Sequence, residues 1–276
     1  MYDWANSSYN LVITSTIFPA YYVAITSSKV SSDLSYVNFF GLKIINTALQ
    51  NYTLAVVFLL VAILSPILSS IADYRGNKKS FMRFFTLMGA TSCSALFFFT
   101  PDRIEYGMIT FAIAALGFWS SLVFYNSYLP DIAFPQDRDR VSAKGFALGY
   151  IGSVILQIIC FIVLLKPGLF GLDTTDKTIG ARVSFLLVGL WWFGFAQITF
   201  KALPSNSMAI VAEGSSIYLM GLLTQQEAVI AKKVASNANG VKDVYAYFDI
   251  ISEAEKTRLE KQGKADEAQP NSMPKQ

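Results

Sequence analysis

The chain has 276 residues, 53% of them hydrophobic and only 15% charged, with a formal net charge of +3. That balance excludes an ordinary soluble domain of this size and a nucleic-acid binder that works through charge. Two cysteines and no histidine exclude a disulfide framework and a Cys/His metal centre, and remove the commonest general base. No cofactor is expected. No nucleophile–base pair or phosphate-binding loop points to an enzyme.

The opening "MYDWANSSYN" carries Asp3 and no lysine or arginine. It lacks the basic start of a signal peptide and reads as the inner end of a permanent helix. Six charge-free runs follow: Trp4–Ser28, Ile44–Ala72, Phe84–Pro101, Tyr106–Pro130, Gly145–Leu165 and Val183–Phe200. Each is about 18 residues or longer, enough for a helix to cross roughly 30 Å of hydrocarbon. A single run of this kind could be a buried core helix, but six in series predict a multi-pass membrane protein. The loops of one side carry Arg75, Lys78, Lys79, Arg83, Arg138, Arg140, Lys144 and Lys201; the other side has Lys29, Lys43, Arg103, Lys166, Lys177 and Arg182. The excess places the N-terminus and the end of span six in the cytoplasm.

Polar residues in apolar spans are costly and usually face the bundle interior. Asp3 and Asn6 mark the inner end of span one and Asn126 that of span four; Gln157 lies in span five and Gln197 in span six. These five are the substrate-pathway candidates. For the amides, hydrogen bonding between helices is the plainer reading of each taken singly. No ionisable residue of the Asp, Glu, Lys or Arg type lies mid-span, so proton coupling is left to Asp3, Asp73 or Asp131 near the inner face. Gly145, Gly149 and Gly152 line one face of span five, and the first two form a Gly-x-x-x-Gly pair that lets helices approach closely. This groove and Gln157 are expected to face lipid or another copy. Pro19 is expected to kink span one.

Between spans two and three, "SPILSSIADYRGNKKSFM" sets Asp73 before Gly76, Lys78, Lys79 and Arg83. Basic residues at a helix end can simply anchor it at the inner surface. The order Asp-x-x-Gly followed by paired lysines resembles the signature loop of the major facilitator superfamily, which implies a gating network. Ser69, Tyr74 and Asn77 depart from that signature. With "YDWANSSYNLVITSTIFPAYY", "FYNSYLPDIA", "DRVSAKGFALGYIGS" and "RVSFLLVGLWWFGFAQITFKALP", the first 204 residues resemble the vacuole-effluxer-like branch of that superfamily. The resemblance implies a secondary transporter, with amino-acid or other small-solute export as the activity. It also implies twelve or so helices, of which six are here.

After Pro204 the pattern changes. Residues 1–203 carry 14 Lys/Arg and 10 Asp/Glu, whereas the remainder carries 8 and 9. "MAIVAEGSSIYLMG" reads as a hairpin about Glu213-Gly214. Thr224 and Glu227 make a capping box, and Ala228, Ala231, Val234 and Ala235 form an apolar stripe to about Asn237, with Gly240 as the αL cap. "VKDVYAYFDII" reads as a strand with Val244, Ala246, Phe248 and Ile250 on one side and Tyr245 and Tyr247 on the other. This β-β-α-β order, with "YLMGLLTQQEA", resembles the later part of a BON domain. Such domains are linked to phospholipid or surface binding.

The expected architecture is therefore an all-α membrane protein, the six-helix half of a major facilitator fold, with a small C-terminal α/β unit. Residues 1–204 form the transporter half, 205–252 the partial BON-like unit, and 253–276 a charged short helix and disordered tail. The expected partners are the lipid bilayer, a small-molecule substrate, and a homodimer mate or missing second half, with no nucleic acid. The expected place is a cell membrane of the bacterial inner-membrane kind. The two parts read as truncated pieces joined in one chain. The alternative is a non-enzymatic envelope or scaffold protein in which the helices only anchor the BON-like unit.

Overall fold

A computed structural model describes residues 1–27, 35–75, 78–133, 135–203, 208–213 and 215–258. The chain divides into two compact units, Met1–Pro204 and Ser205–Gln276. Gly76, Pro204, Gly214 and the end of the tail from 259 lie outside the described residues, as do the side chains of Asp73, Asp131 and Glu213.

Among the described residues of the first unit, five helices are long and apolar enough to cross a membrane: Asn46–Ser70, Lys78–Phe98, Ile104–Ser127, Arg138–Leu165 and Ile179–Ala202. They correspond to expected spans two to six. Span one departs from a plain helix. It is α-helical over Tyr2–Ser8, a π-helix over Tyr9–Ile17, and α-helical again over Phe18–Thr26. A π turn bonds residues five apart. Here the Ser15 hydroxyl donates to Asn10 O at 2.9 Å and the Thr16 hydroxyl reaches Leu11 O at 2.8 Å, each five residues back. Side chains thus support the widened turns, and the β-branched residues Val12, Ile13, Thr14, Thr16 and Ile17 are crowded in a tighter helix. Pro19 falls in the first turn of the second α-segment, directly after the π segment. The irregularity expected at Pro19 is a π segment ahead of it.

Span two also differs from expectation at its start. Ile44 and Ile45 belong to a hairpin in which β1 (Tyr36–Phe39) pairs antiparallel with β2 (Leu42–Ile45). Its turn puts Phe40 at φ 49° and Gly41 at φ 82°, the left-handed pair that a tight two-residue hairpin loop needs. The helix begins at Asn46.

Spans three and four share the most extensive packing; span one packs against spans five and six, span three against span six, span four against span two, and span five against span six. Glycines make the close crossings. A Cβ on Gly117 of span four would lie 2.5 Å from Gly89 Cα of span three, and one on Gly189 of span six 2.6 Å from Ala90 O. Large aromatics fill the centre: Phe18 stacks on Phe111 at 3.9 Å between centroids, and Tyr9 lies between Phe118 and Trp192 at 5.0 and 5.5 Å. Apolar side chains point outward from span two (Val56, Leu59, Ile63) and span five (Ile151, Val154, Ile158).

The second unit is a three-stranded sheet in the order β3 (Met208–Glu213), β4 (Ser216–Leu223), β5 (Asp243–Ile250), with the first pair antiparallel and the second parallel. The helix Gln225–Ser236 crosses between β4 and β5, opened by the Thr224–Glu227 capping box. Three details correct the sequence reading. The helix ends on Asn237 in the αR region, and Gly240, at φ 87°, instead serves the turn closed by Val241 N–H to Ala238 O at 3.2 Å. Val234 and Ile250 are exposed, outside the buried faces assigned to them. Val244, Ala246 and Phe248 do share the more buried face of β5. Residues 253–258 are helical.

Candidate functional site

One end of the six-helix unit gathers the polar groups. Asp3 is 5% exposed, held at the start of span one, and its Oδ2 accepts the Tyr125 hydroxyl of span four at 2.5 Å. Behind it, a Cβ on Gly145 of span five would lie 2.5 Å from that oxygen, so only glycine leaves the carboxylate its place. The Tyr2 ring lies 4.7 Å from the Tyr125 ring, and the Tyr2 hydroxyl shares a 2.7 Å hydrogen bond with Thr86 of span three. Spans one, four and five thus meet at Asp3, and Tyr2 beside it ties span one to span three. A cavity of about 40 Å³ opens beside it, lined by Asp3, Tyr125, Asn126, Ser142 and apolar Leu129, Ile132, Val141 and Phe146.

The same end holds the basic residues of the signature-like loop. Lys79 Nζ donates to Leu203 O at 2.9 Å, tying span three to the end of span six. The Arg83 guanidinium lies over the Phe200 ring at 5.8 Å, and that ring is 6.5 Å from Tyr2. Lys78 begins span three. Asp73 lies in the last turn of the helix Asn46–Arg75.

The glycine face of span five is occupied. Gly149 and Gly152 are buried, and a Cβ on either would lie 2.7 Å from Ser7 Oγ or 2.8 Å from the Trp4 ring. This corrects the expectation that the groove faces lipid or another copy: span one fills it. Gln157, 8% exposed, is likewise interior and faces the Thr16 hydroxyl of the π segment at 2.9 Å. The Thr16 hydroxyl has one proton and also reaches Leu11 O and Val12 O at 2.8 and 3.0 Å. A Gln157 amide turned to present its N–H₂ would let every group in this chain of bonds donate or accept in turn. Asn6 is 1% exposed. Gln197 donates to Phe193 O of its own helix at 3.1 Å. The structure therefore brings Asp3 and Asn126 to one cavity, and places Asn6, Gln157 and Gln197 outside its lining.

Sequence reading missed Tyr125, Tyr2, Thr86 and Ser142. Tyr125 stands beside Asn126, and Tyr2 beside Asp3, so a tyrosine adjoining these two of the five polar candidates was the available signal.

The profile of the family described as vacuole effluxer Atg22-like matches residues 1–257. The chain belongs to this family. It is 37% identical over 195 residues to the MFS-type transporter YxiO of Bacillus subtilis, covering 70% of this chain and 42% of YxiO. It is 25% identical over 228 residues to autophagy-related protein 22-1 of Aspergillus clavatus, covering 61% of this chain and 37% of that protein. No solved structure matches it. This Atg22-like chain spans about two fifths of the length of these curated relatives. The family is one of multi-pass, MFS-type transporters and effluxers, not enzymes. Its profile also runs past residue 204 into the α/β unit.

Proposed function

We propose that residues 1–204 are one six-helix unit of a small-solute exporter, amino acids being one candidate cargo, and that it works by rocking against a second six-helix unit. The observation that carries this is the packed centre. Phe18 on Phe111, and Tyr9 between Phe118 and Trp192, fill the space between the spans, so a solute route lies along the surface of the unit. A route of that kind needs a second wall, supplied by another copy of this chain or by a separate half. Asp3 and Asn126 are the pathway residues of this reading. Asp73, Gly76, Lys78, Lys79 and Arg83 form its gate, with Asp73 pairing with Arg83 or Arg138 in one conformational state. In this reading the basic loops face the cytoplasm, and the membrane is a bacterial cell membrane.

Two labelling positions test the orientation. Cysteine in place of Asp173, in the loop between spans five and six, should react with an impermeant maleimide on intact cells, and cysteine in place of Ser142 should not; the reverse pattern refutes it. Asp73→Asn in a complete transporter carrying this loop should reduce transport while leaving insertion intact. Unchanged transport reduces the loop to an anchor.

A second reading rests on the β-β-α-β order of residues 208–250, which supports a BON-like surface-binding unit joined to the helices as an anchor. The family profile that continues to residue 257 weighs against a join. The anchor reading needs Ser215 outside the cell, and the transporter reading needs it inside. Cysteine labelling at that position separates them.

A further inference from the structure

A carboxylate taken out of water needs a counter-charge, a proton or strong donors. Asp3 is 5% exposed, and its one side-chain donor among the described residues is the Tyr125 hydroxyl. No lysine or arginine forms an ion pair with it among the described residues. The cavity beside it has a volume of about 40 Å³, more than the space one water needs and less than a whole drug-sized ligand fills. It offers oxygen acceptors at Asp3, Asn126 and Ser142 and an apolar wall that includes Leu129, Ile132 and Phe146. Among the described residues there is no group of three His, Cys, Asp or Glu that could hold a metal ion, so a divalent cation would lack ligands here.

We propose that this cavity binds the head of a protonated primary amine. An alkylammonium has N–H donors for the acceptors of Asp3, Asn126 and Ser142, one positive charge for the Asp3 carboxylate, and a first few carbons to lie on the apolar wall. Tyr125 holds the carboxylate toward the cavity, and Gly145 leaves room for it. This deepens the transporter reading by naming a cargo class, and it depends on that reading only for what the site serves.

The test uses the purified full chain in detergent at about pH 7, where an alkylamine is protonated, titrated by calorimetry with propylammonium chloride. Saturable binding is expected, with none for propan-1-ol, which lacks the charge, or tetramethylammonium, which lacks the donors. Asp3→Asn keeps an acceptor for Tyr125 and should keep the fold, seen as an unchanged melting temperature, yet weaken binding at least about tenfold. Gly145→Ala should weaken it as well by crowding Oδ2, and gives a second readout if the first variant folds poorly. Absence of saturable propylammonium binding by folded protein overturns the proposal. Equal binding of sodium or propan-1-ol, or Asp3→Asn binding within about twofold of the parent, does so too. Binding with no solute flux in liposomes even from a paired species would remove the transporter reading and leave the amine site; flux from a paired species without binding would do the opposite.

Discussion

Gly117→Ala probes the crossing of spans three and four. The added Cβ would lie 2.5 Å from Gly89 Cα, 2.6 Å from Gly89 N and 2.7 Å from Phe85 O. All three are backbone atoms, so no rotamer change relieves the clash. Carbon atoms pack at about 3.5–4.0 Å, so the two helices must separate by roughly 1 Å along this seam. Gly89 also abuts the Trp192 ring, 2.3 Å from an ideal Cβ at that position, and the separation loosens that three-helix contact. Overpacking of this kind costs about 1–3 kcal/mol. The helix propensity gained on replacing glycine is at most about 1 kcal/mol, so the net effect is destabilising. Gly194→Ala is the matched control. It makes the same chemical change in a helix interior with nothing within 4 Å of the new atom, and should be neutral or stabilising by up to about 1 kcal/mol. Unfolding of both variants by added dodecyl sulfate in mixed micelles, followed by tryptophan fluorescence, gives the difference directly. That unfolded state keeps helix, which shrinks the propensity gain and leaves the clash. Equal stabilities for Gly117→Ala, Gly194→Ala and the parent would refute the close backbone crossing.

Three further outcomes follow from the same contacts. Tyr2→Phe leaves the fully buried Thr86 hydroxyl without its 2.7 Å partner and should cost about 1–2 kcal/mol in the same assay. Arg182→Met should open the opposite end of the bundle, because Arg182 bonds Phe97 O at 2.6 Å and Asp176 at 3.2 Å; faster hydrogen exchange at the start of span six is the readout. In the α/β unit, the Lys256 ammonium and then the Thr224 N–H hold the Glu227 carboxyl below its ordinary range. A depressed carboxylate contributes stability above its unfolded value and loses it as pH falls through the folded one. Exchange of the 225–236 amides, corrected for intrinsic rates, should therefore rise on acidification below the usual glutamate range, and Glu227→Gln should flatten that rise.

What the sequence made legible were features carried by neighbouring residues. Charge-free length revealed spans two to six, and Thr224 with Glu227 three residues on revealed the capping box. The period-two pattern of Val244, Ala246 and Phe248 revealed the inner face of β5. Features that depend on distant groups were not legible. The Asp3–Tyr125 bond joins residues 122 apart, so the sequence singles out Asp3 at the helix start but not its partner. The π segment is supported from span five by Gln157, 141 residues from Thr16. The β1–β2 hairpin was hidden because its second strand, Leu42–Ile45, runs straight into the apolar helix, and its Phe40-Gly41 turn lacks the usual Asn-Gly signal. Gly240 misled for the opposite reason: the local pattern suited a helix cap, but the helix had already ended at Ser236.

The most direct test of the central claim is solute flux measured on a species of known mass. The purified chain would be reconstituted in liposomes, its oligomeric state fixed by native mass spectrometry of the same preparation, and amino-acid and alkylamine flux followed with radiolabelled solutes. One six-helix unit supplies one wall, so a monomeric species should give no saturable flux, and flux should appear only with a paired unit present. Saturable flux from a species shown to be monomeric would contradict the account.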